Sequence, residues 1–301
     1  MSVPSQAITS QTSEQTMTAG QAADRPYYVP KPSHWPIIGA CALLLAAAGA
    51  ATWLNRGSAG PYILAAGAAL LAVTLFGWFG TVIRESEGGL YDKQVDRSYR
   101  WAFAWFIFSE TCFFAAFFGA LFYMRWHIMP DLTSGETAEL WPGFKGGWPA
   151  TGPGIEGTLH PEHGTGIPLI NTVLLLLSAA TLLWAHRGLQ KGARGQLKLG
   201  LFLTIVLGLA FLGLQFSEHY RAYTELGLTL GSGAYGATFF MLTGFHGLHV
   251  AIGATILCVM FVRSLRGDFT PNDQFAFEAA QWYWQFVDVI WLLMYLLVYW
   301  L

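Results

Sequence analysis

Charge is what this sequence has least of. Asp, Glu, Lys and Arg make up 11% of its 301 residues and the formal net charge is −2, where soluble domains run near a quarter charged. There is no basic surface to neutralise phosphates, which excludes a nucleic-acid binder. Cysteine is scarce as well: Cys41, Cys112 and Cys258 each lie inside an apolar run, and no CxxC or CxxH spacing occurs. Neither a disulfide framework nor a thiolate metal site is therefore indicated. A nucleophile elbow, a phosphate-binding glycine loop and a haem-attachment signature are missing too. Internal repeats and Gly/Pro-broken helix pairs, the marks of inverted-repeat transporters, are absent. Residues 1–26 are rich in Ser, Gln, Thr and Ala and have no apolar core. They read as a disordered tail, neither a signal peptide nor a span.

What the sequence has instead is hydrophobicity: 54% of residues are apolar and 16% aromatic. The fold class is an all-α polytopic membrane protein. Tyr27–Pro36, YYVPKPSHWP, suits a membrane interface, with Pro36 placed for the first turn of a helix. Seven apolar runs follow: Ile37–Leu54, Pro61–Ile83, Trp101–Met124, Ile167–Ala185, Leu199–Ser217, about Ala234–Val262, and Ala280–Leu301. Each reaches or approaches the roughly 20 residues needed to cross a hydrocarbon core. The first is the shortest and rich in Ala and Gly, which predicts close packing or tilt. Its NRGSAG turn predicts an antiparallel hairpin over 35–84, with the rest of the spans over 100–301.

Lys and Arg set the expected orientation. With the N-terminus inside, the inner segments hold Arg25, Lys31, Arg84, Lys93, Arg97, Arg100, Arg187, Lys191, Arg194, Lys198, Arg263 and Arg266, and the outer ones Arg56, Arg125, Lys145 and Arg221. Twelve against four puts the N-terminus in the cytoplasm and the C-terminus outside. The long connection Arg125–Gly166 then lies outside, and a loop of that length is usually functional or packed on something. The stretch VIRESEGGLYDKQVDRSYR reads as a charged inner loop: a solvated surface, a docking site for a partner, or a collector of protons.

Polar residues within the runs carry the functional signal. Glu110 interrupts the third run near its middle, and an ionised carboxylate in hydrocarbon needs a partner, a cavity or a task. The ordinary alternative is polar glue between helices. His246 and His249 share a helix face at spacing i, i+3. A bundle metal site would need further ligands on facing helices, and none is present. One of the two histidines is instead expected to pair with Glu110. Asp288, with Gln281 and Gln285 before it, forms a polar stripe on the seventh run, read either as a proton pathway or as interhelical hydrogen bonding. Glu218 falls near an end, where its side chain reaches water. Asn171, Thr172, Ser178 and Thr181 read as helix–helix glue.

These same residues carry a resemblance. The stretches PSHWPIIGA, VIRES, FIFSETCFFAAFFGAL, PLINTVLLLLSAATLLWAH, LQFSEHY, YGATFFMLTGFHGLHV and FEAAQWYWQFVDVIWLLMYLLVYW resemble subunit III of haem–copper cytochrome c oxidases, from about Tyr28 to Leu301. The resemblance implies two helices and five helices splayed in a V, with phospholipid in the cleft. It implies no haem or copper in this chain. Haems and copper are expected in partner subunits, the catalytic subunit I and the copper-bearing subunit II, with cytochrome c as the donor of the complex. The implied role is to stabilise the catalytic subunit, hold lipid and support proton uptake during oxygen reduction, in a bacterial plasma membrane with the C-terminus periplasmic. Glu110 matches the family's carbodiimide-reactive carboxylate, Arg263 a position that contacts lipid headgroups, and Trp78 an aromatic near the same cleft. Glu110, His246, His249 and Asp288 are the expected proton-antenna group.

The chain departs from the family at Gln285, where a histidine is usual, at Leu90 and Tyr91, where a histidine pair is common, and at Gly80, often an arginine. The histidines there are thought to feed protons inward, so that role is in question for this chain. Two rivals are weighed against this reading. One is an accessory subunit of a quinol oxidase or nitric oxide reductase, whose members usually lack the first two helices. The other is an independent proton-coupled transporter.

Overall fold

Apolar side chains without charge leave a backbone in lipid only one economical arrangement, the helix, which satisfies its own hydrogen bonds. The computed structural model describes residues 28–29, 32–153, 164–269 and 274–300. The expected disordered tail over 1–26 lies outside the described residues. Among the described residues seven helices are long and apolar enough to cross a membrane: α1 Trp35–Leu54, α2 Gly60–Glu87, α3 Lys93–Asp131, α4 Ile167–Gln190, α5 Arg194–Thr224, α6 Ala234–Arg266 and α7 Phe275–Tyr299. No strand occurs among the described residues. The protein is an all-helical, multi-pass membrane protein.

The helices outrun the apolar runs. α2 extends to Glu87 and α3 begins at Lys93, before Trp101, so most of VIRESEGGLYDKQVDRSYR is helix and only residues 88–92 connect. Glu, Lys, Arg and Gln are good helix formers, and nothing in water forces a helix to stop at the hydrocarbon edge. For the same reason α5 runs on to Thr224, past Ser217.

The chain divides into two units, Met1–Tyr99 and Arg100–Leu301, with the division inside α3. In the first unit α1 and α2 pack as a hairpin through glycine and alanine. A Cβ on Gly49 would collide with the backbone of Leu64, and one on Gly67 with the backbone of Ala46. The helices approach until their main chains touch, as expected of the Ala/Gly-rich first run. The start of α3 is tied to the end of α2 by tyrosines. The Tyr91 hydroxyl donates to Glu85 at 2.8 Å and accepts from Tyr99 at 3.3 Å, and Tyr28 sets its ring edge-on to Tyr91.

In the second unit α4 and α5 also close on small residues. A Cβ on Gly200 would lie 2.7 Å from that of Ala185, and the Thr181 and Thr204 hydroxyls meet at 2.8 Å. The fully buried Trp284 of α7 binds three helices at once. Its ring lies where Cβ atoms on Gly208 of α5 and Gly253 of α6 would stand, and its indole N–H donates to the Ser178 hydroxyl of α4 at 2.8 Å. About two turns further on, Trp291 donates to Thr172 at 2.9 Å. Two of the expected glue residues of α4, Ser178 and Thr172, therefore serve as acceptors for tryptophan.

The long connection after α3 packs on its own unit. The carbonyls of Thr151 and Ala150 accept from the N–H groups of Ala234 and Tyr235 at 3.0 and 3.3 Å, two of the orphan donors at the start of α6. Gly233 precedes them at φ 90°, a conformation that costs a residue with a Cβ dearly, and a Cβ there would strike Thr151. Gly164 accepts from the Tyr295 hydroxyl at 3.0 Å.

Candidate functional site

Glu110 lies at mid-span on α3, and its carboxylate meets the His249 imidazole of α6. Nε2 and Oε2 are 3.0 Å apart, with side-chain exposures of 11% for His249 and 23% for Glu110. The other ring nitrogen, Nδ1, lies 2.7 Å from the Phe245 carbonyl one turn back. A carbonyl oxygen only accepts, so Nδ1 carries hydrogen. Nε2 then either receives a proton from a carboxylic acid or, in an imidazolium, gives one to a carboxylate. In both forms one proton lies between Nε2 and Oε2 and the pair as a whole is neutral. Aromatic rings enclose it: Phe114 edge-on at 5.0 Å, Phe113 at 6.0 Å and Tyr283 stacked at 6.4 Å from the imidazole. In so apolar a setting an unpaired polar group is costly and a paired one strongly held.

α3 reaches this position on rings rather than on small residues. Phe113 and Phe117 both lie against Phe245 of α6, at 5.1 and 5.4 Å, and Phe114 against Phe286 of α7 at 6.1 Å. Near one end of α3, Arg100 pairs with Glu278 of α7 and covers the Phe275 ring at 5.2 Å.

The other expected residues are dispersed. His246 turns away from α3 into the core, where Trp291 lies at 5.4 Å and Phe211 edge-on at 5.8 Å. Both its nitrogens are buried without a hydrogen-bond partner among the described residues. Asp288 is 6% exposed, and neither of its oxygens has a partner among those residues. No hydrogen bond joins His246 or Asp288 to the Glu110–His249 pair, so the described contacts form no continuous four-residue relay. Arg263 is 7% exposed, 3.8 Å from Asp268 and over the Phe269 ring at 4.9 Å. Trp78 lies on α2 of the first unit, 42% exposed. No group of three or more His, Cys, Asp or Glu able to hold a metal occurs among the described residues.

Glu218 corrects the sequence reading. It is fully buried, not at a water-facing end, because α5 continues past it. Gln215 donates to its Oε2 at 2.9 Å and accepts from Asn171 of α4 at 3.1 Å. His219 adds a contact with the Thr243 hydroxyl of α6 at 3.0 Å. Three helices thus share a polar network that the hydropathy of α5 conceals. The spacing of Gln215, Glu218 and His219 on one helical face is the sequence signal that could have found it.

A multi-span helical protein holding a neutral histidine–carboxylate pair at mid-span is a membrane subunit or carrier, and comparison with known proteins decides which. The family model for cytochrome c oxidase subunit III matches residues 25–301. The chain is 41% identical over 275 residues to cytochrome c oxidase subunit 3 of Equus caballus, covering 91% of this chain and 96% of that one. For Latimeria chalumnae the identity is 42% with the same coverage, and for Lemur catta 40%, covering 92% of that chain. The chain belongs to the cytochrome c oxidase subunit III family. It is accordingly a multi-pass membrane subunit of a multisubunit oxidase, an oxidoreductase complex of the respiratory chain.

Proposed function

We propose that this chain is a non-catalytic core subunit of a cytochrome c oxidase that stabilises the catalytic subunit, holds phospholipid and supports proton uptake during oxygen reduction. The oxygen chemistry belongs to haems and copper in the partner subunits I and II, with cytochrome c as donor. The membrane is a bacterial plasma membrane, with the N-terminus cytoplasmic and the C-terminus periplasmic. Trp78, Glu110 and Arg263 are the residues assigned to contact phospholipid.

The observation that carries the reading, beside family membership, is the Glu110–His249 bond: a proton held at mid-span between two helices, at the partly exposed margin of α3. Neutrality as a pair is what lets the two groups stay in lipid. A proton arriving at or leaving one must be matched at the other. The pair therefore steadies local charge beside a proton-consuming complex.

Glu110→Gln in the purified complex tests this. Glutamine keeps the shape and still donates to His249 Nε2, but it has no acidic proton. The expected result is an assembled complex that loses activity sooner during turnover. Unchanged turnover and unchanged working lifetime would reduce Glu110 to packing. A mild-detergent pull-down through the N-terminal tail, followed by a reduced-minus-oxidised spectrum, tests the assembly. Haem bands with oxygen consumption driven by reduced cytochrome c are expected. The same bands with quinol as the only effective donor would move the chain to a quinol oxidase, and a haem-free chain would revive the transporter.

A further inference from the structure

The α-helical ladder of α3 is interrupted once, by a π turn at Met124–Ile128, where the apolar run ends. A π turn widens the helix by about one residue and is frequently found at a functional site. Here it borders a surface groove of about 400 Å³ lined by Gly119, Phe122, Tyr123, Trp126 and His127. On the other side of the Phe122–Trp126 ridge lies Arg125. Its guanidinium covers the Trp126 ring at 5.4 Å and has no carboxylate partner among the described residues.

Two features say what would fill this groove. Its floor at Gly119 is open, since a Cβ there would meet nothing within 4 Å. Its walls are exposed rings: Phe122 is 42%, Tyr123 59% and Trp126 61% accessible. Those rings lie beside the hydrocarbon run Trp101–Met124, and the cation lies at the first position beyond it. Along the span Phe122 and Tyr123 come first and Arg125 and Trp126 follow, which matches the order of acyl chain, glycerol region and phosphate in a lipid. An arginine with no carboxylate partner among the described residues is matched by a phosphate, which it can bind through two N–H groups.

We propose that the π turn of α3 is a binding site for an anionic phospholipid, with an acyl chain along Gly119 and Phe122 and the phosphate at Arg125. Arg125 lies 15 residues beyond Glu110 on α3, and the proposal does not depend on the lipid contacts of the proposed function. The π turn is the positioning device, placing Trp126 and His127 on the groove and Arg125 at its rim.

The test uses the whole purified complex in nanodiscs of mixed phosphatidylcholine and phosphatidylglycerol, with bound lipids counted by native mass spectrometry. Arg125→Gln is expected to weaken retention of one phosphatidylglycerol about fivefold, the loss of one cation at a lipid surface. Gly119→Leu, whose Cβ meets nothing within 4 Å, is expected to fill the floor and lose the same lipid with Arg125 intact. Arg125→Lys is expected to keep most of it. Phosphatidylglycerol retention identical to wild type in both Arg125→Gln and Gly119→Leu would overturn the proposal. So would cross-linking of a photoreactive residue at Trp126 to polypeptide rather than to lipid. Because the readout is lipid count, oxidase activity does not enter it.

Discussion

Two helix contacts in this protein are built from opposite materials. α1 and α2 meet main chain to main chain, with glycine where a side chain would collide. α3 leans on α6 and α7 through phenylalanine rings, with centroids at 5.1 to 6.1 Å. Lipid offers no hydrophobic drive for either contact, so both depend on packing and hydrogen bonds. The close contact leaves no room for anything polar. The ring-filled contact holds its helices apart, and Glu110 and His249 occupy the gap. Wide spacing is what allows a carboxylate between these two helices in the middle of a membrane.

The largest effect should come from breaking the close contact. Gly49→Leu forces a side chain into the backbone of Leu64, where no rotamer gives relief. Overpacking usually costs about 1–3 kcal/mol, and a backbone obstacle puts this substitution at or beyond the upper end. The expected outcome is a complex that loses this chain at lower detergent concentration than wild type. Gly213→Leu is the control, since a Cβ there meets nothing. Equal losses in the two variants would mean that the hairpin contact contributes nothing particular.

The ring-filled contact should yield less. Phe245→Ala removes the ring on which both Phe113 and Phe117 rest. A fully buried Phe→Ala costs about 3–5 kcal/mol. Phe245 is only partly buried, so about 2 kcal/mol is expected, read as a fall in the thermal midpoint of the complex. Carbodiimide labelling of Glu110 should rise in the same variant, because α3 loosens where the carboxyl sits. A lower midpoint with unchanged labelling would separate the rings from the site.

Substitution of the polar pair sharpens the comparison further. Glu110→Ala leaves His249 Nε2 without a partner and should cost about 1–3 kcal/mol, while Glu110→Gln keeps the bond and should stay within about 1 kcal/mol of wild type. Equal destabilisation by both would show that the acid, and not the hydrogen bond, holds α3 in place.

The sequence shows some of this directly. Seven spans are legible because length and apolarity alone decide membrane crossing. Their ends are not, since a helix passes into water without a break in its hydrogen bonding; reading α5 as finished at Ser217 is what left Glu218 in solvent. Glu110 is conspicuous because a carboxylate in hydrocarbon is expensive. Its partner was narrowed to two histidines and no further. His246 and His249 differ by 60° around α6, and choosing between them requires knowing where α3 lies. The role of the Phe113, Phe114 and Phe117 rings in setting that distance is equally hidden, since an apolar ring facing lipid reads the same as one facing a helix.

The smallest effect is expected at Tyr91, in the connection between α2 and α3, where the resemblance leads one to expect histidine. Burial, then the hydrogen bonds with Tyr99 and Glu85, push the Tyr91 phenol well above its usual range. A phenol raised in this way keeps its proton throughout the working pH range and gives it up only in strong alkali. It neither collects nor releases protons near neutrality, which is the property a histidine would bring. Tyr91→Phe should therefore leave the pH profile of oxygen consumption unchanged and cost only the bonds to Glu85 and Tyr99. Tyr91→His places a group that titrates near neutrality on that bond, and it should hold the activity up towards higher pH if proton delivery limits the rate there. A profile altered by Tyr91→Phe would show that the tyrosine cluster takes part in proton uptake despite its retained proton. Identical profiles for all three proteins would place proton collection elsewhere on the complex, and leave the cluster as the clamp that joins α2 to α3.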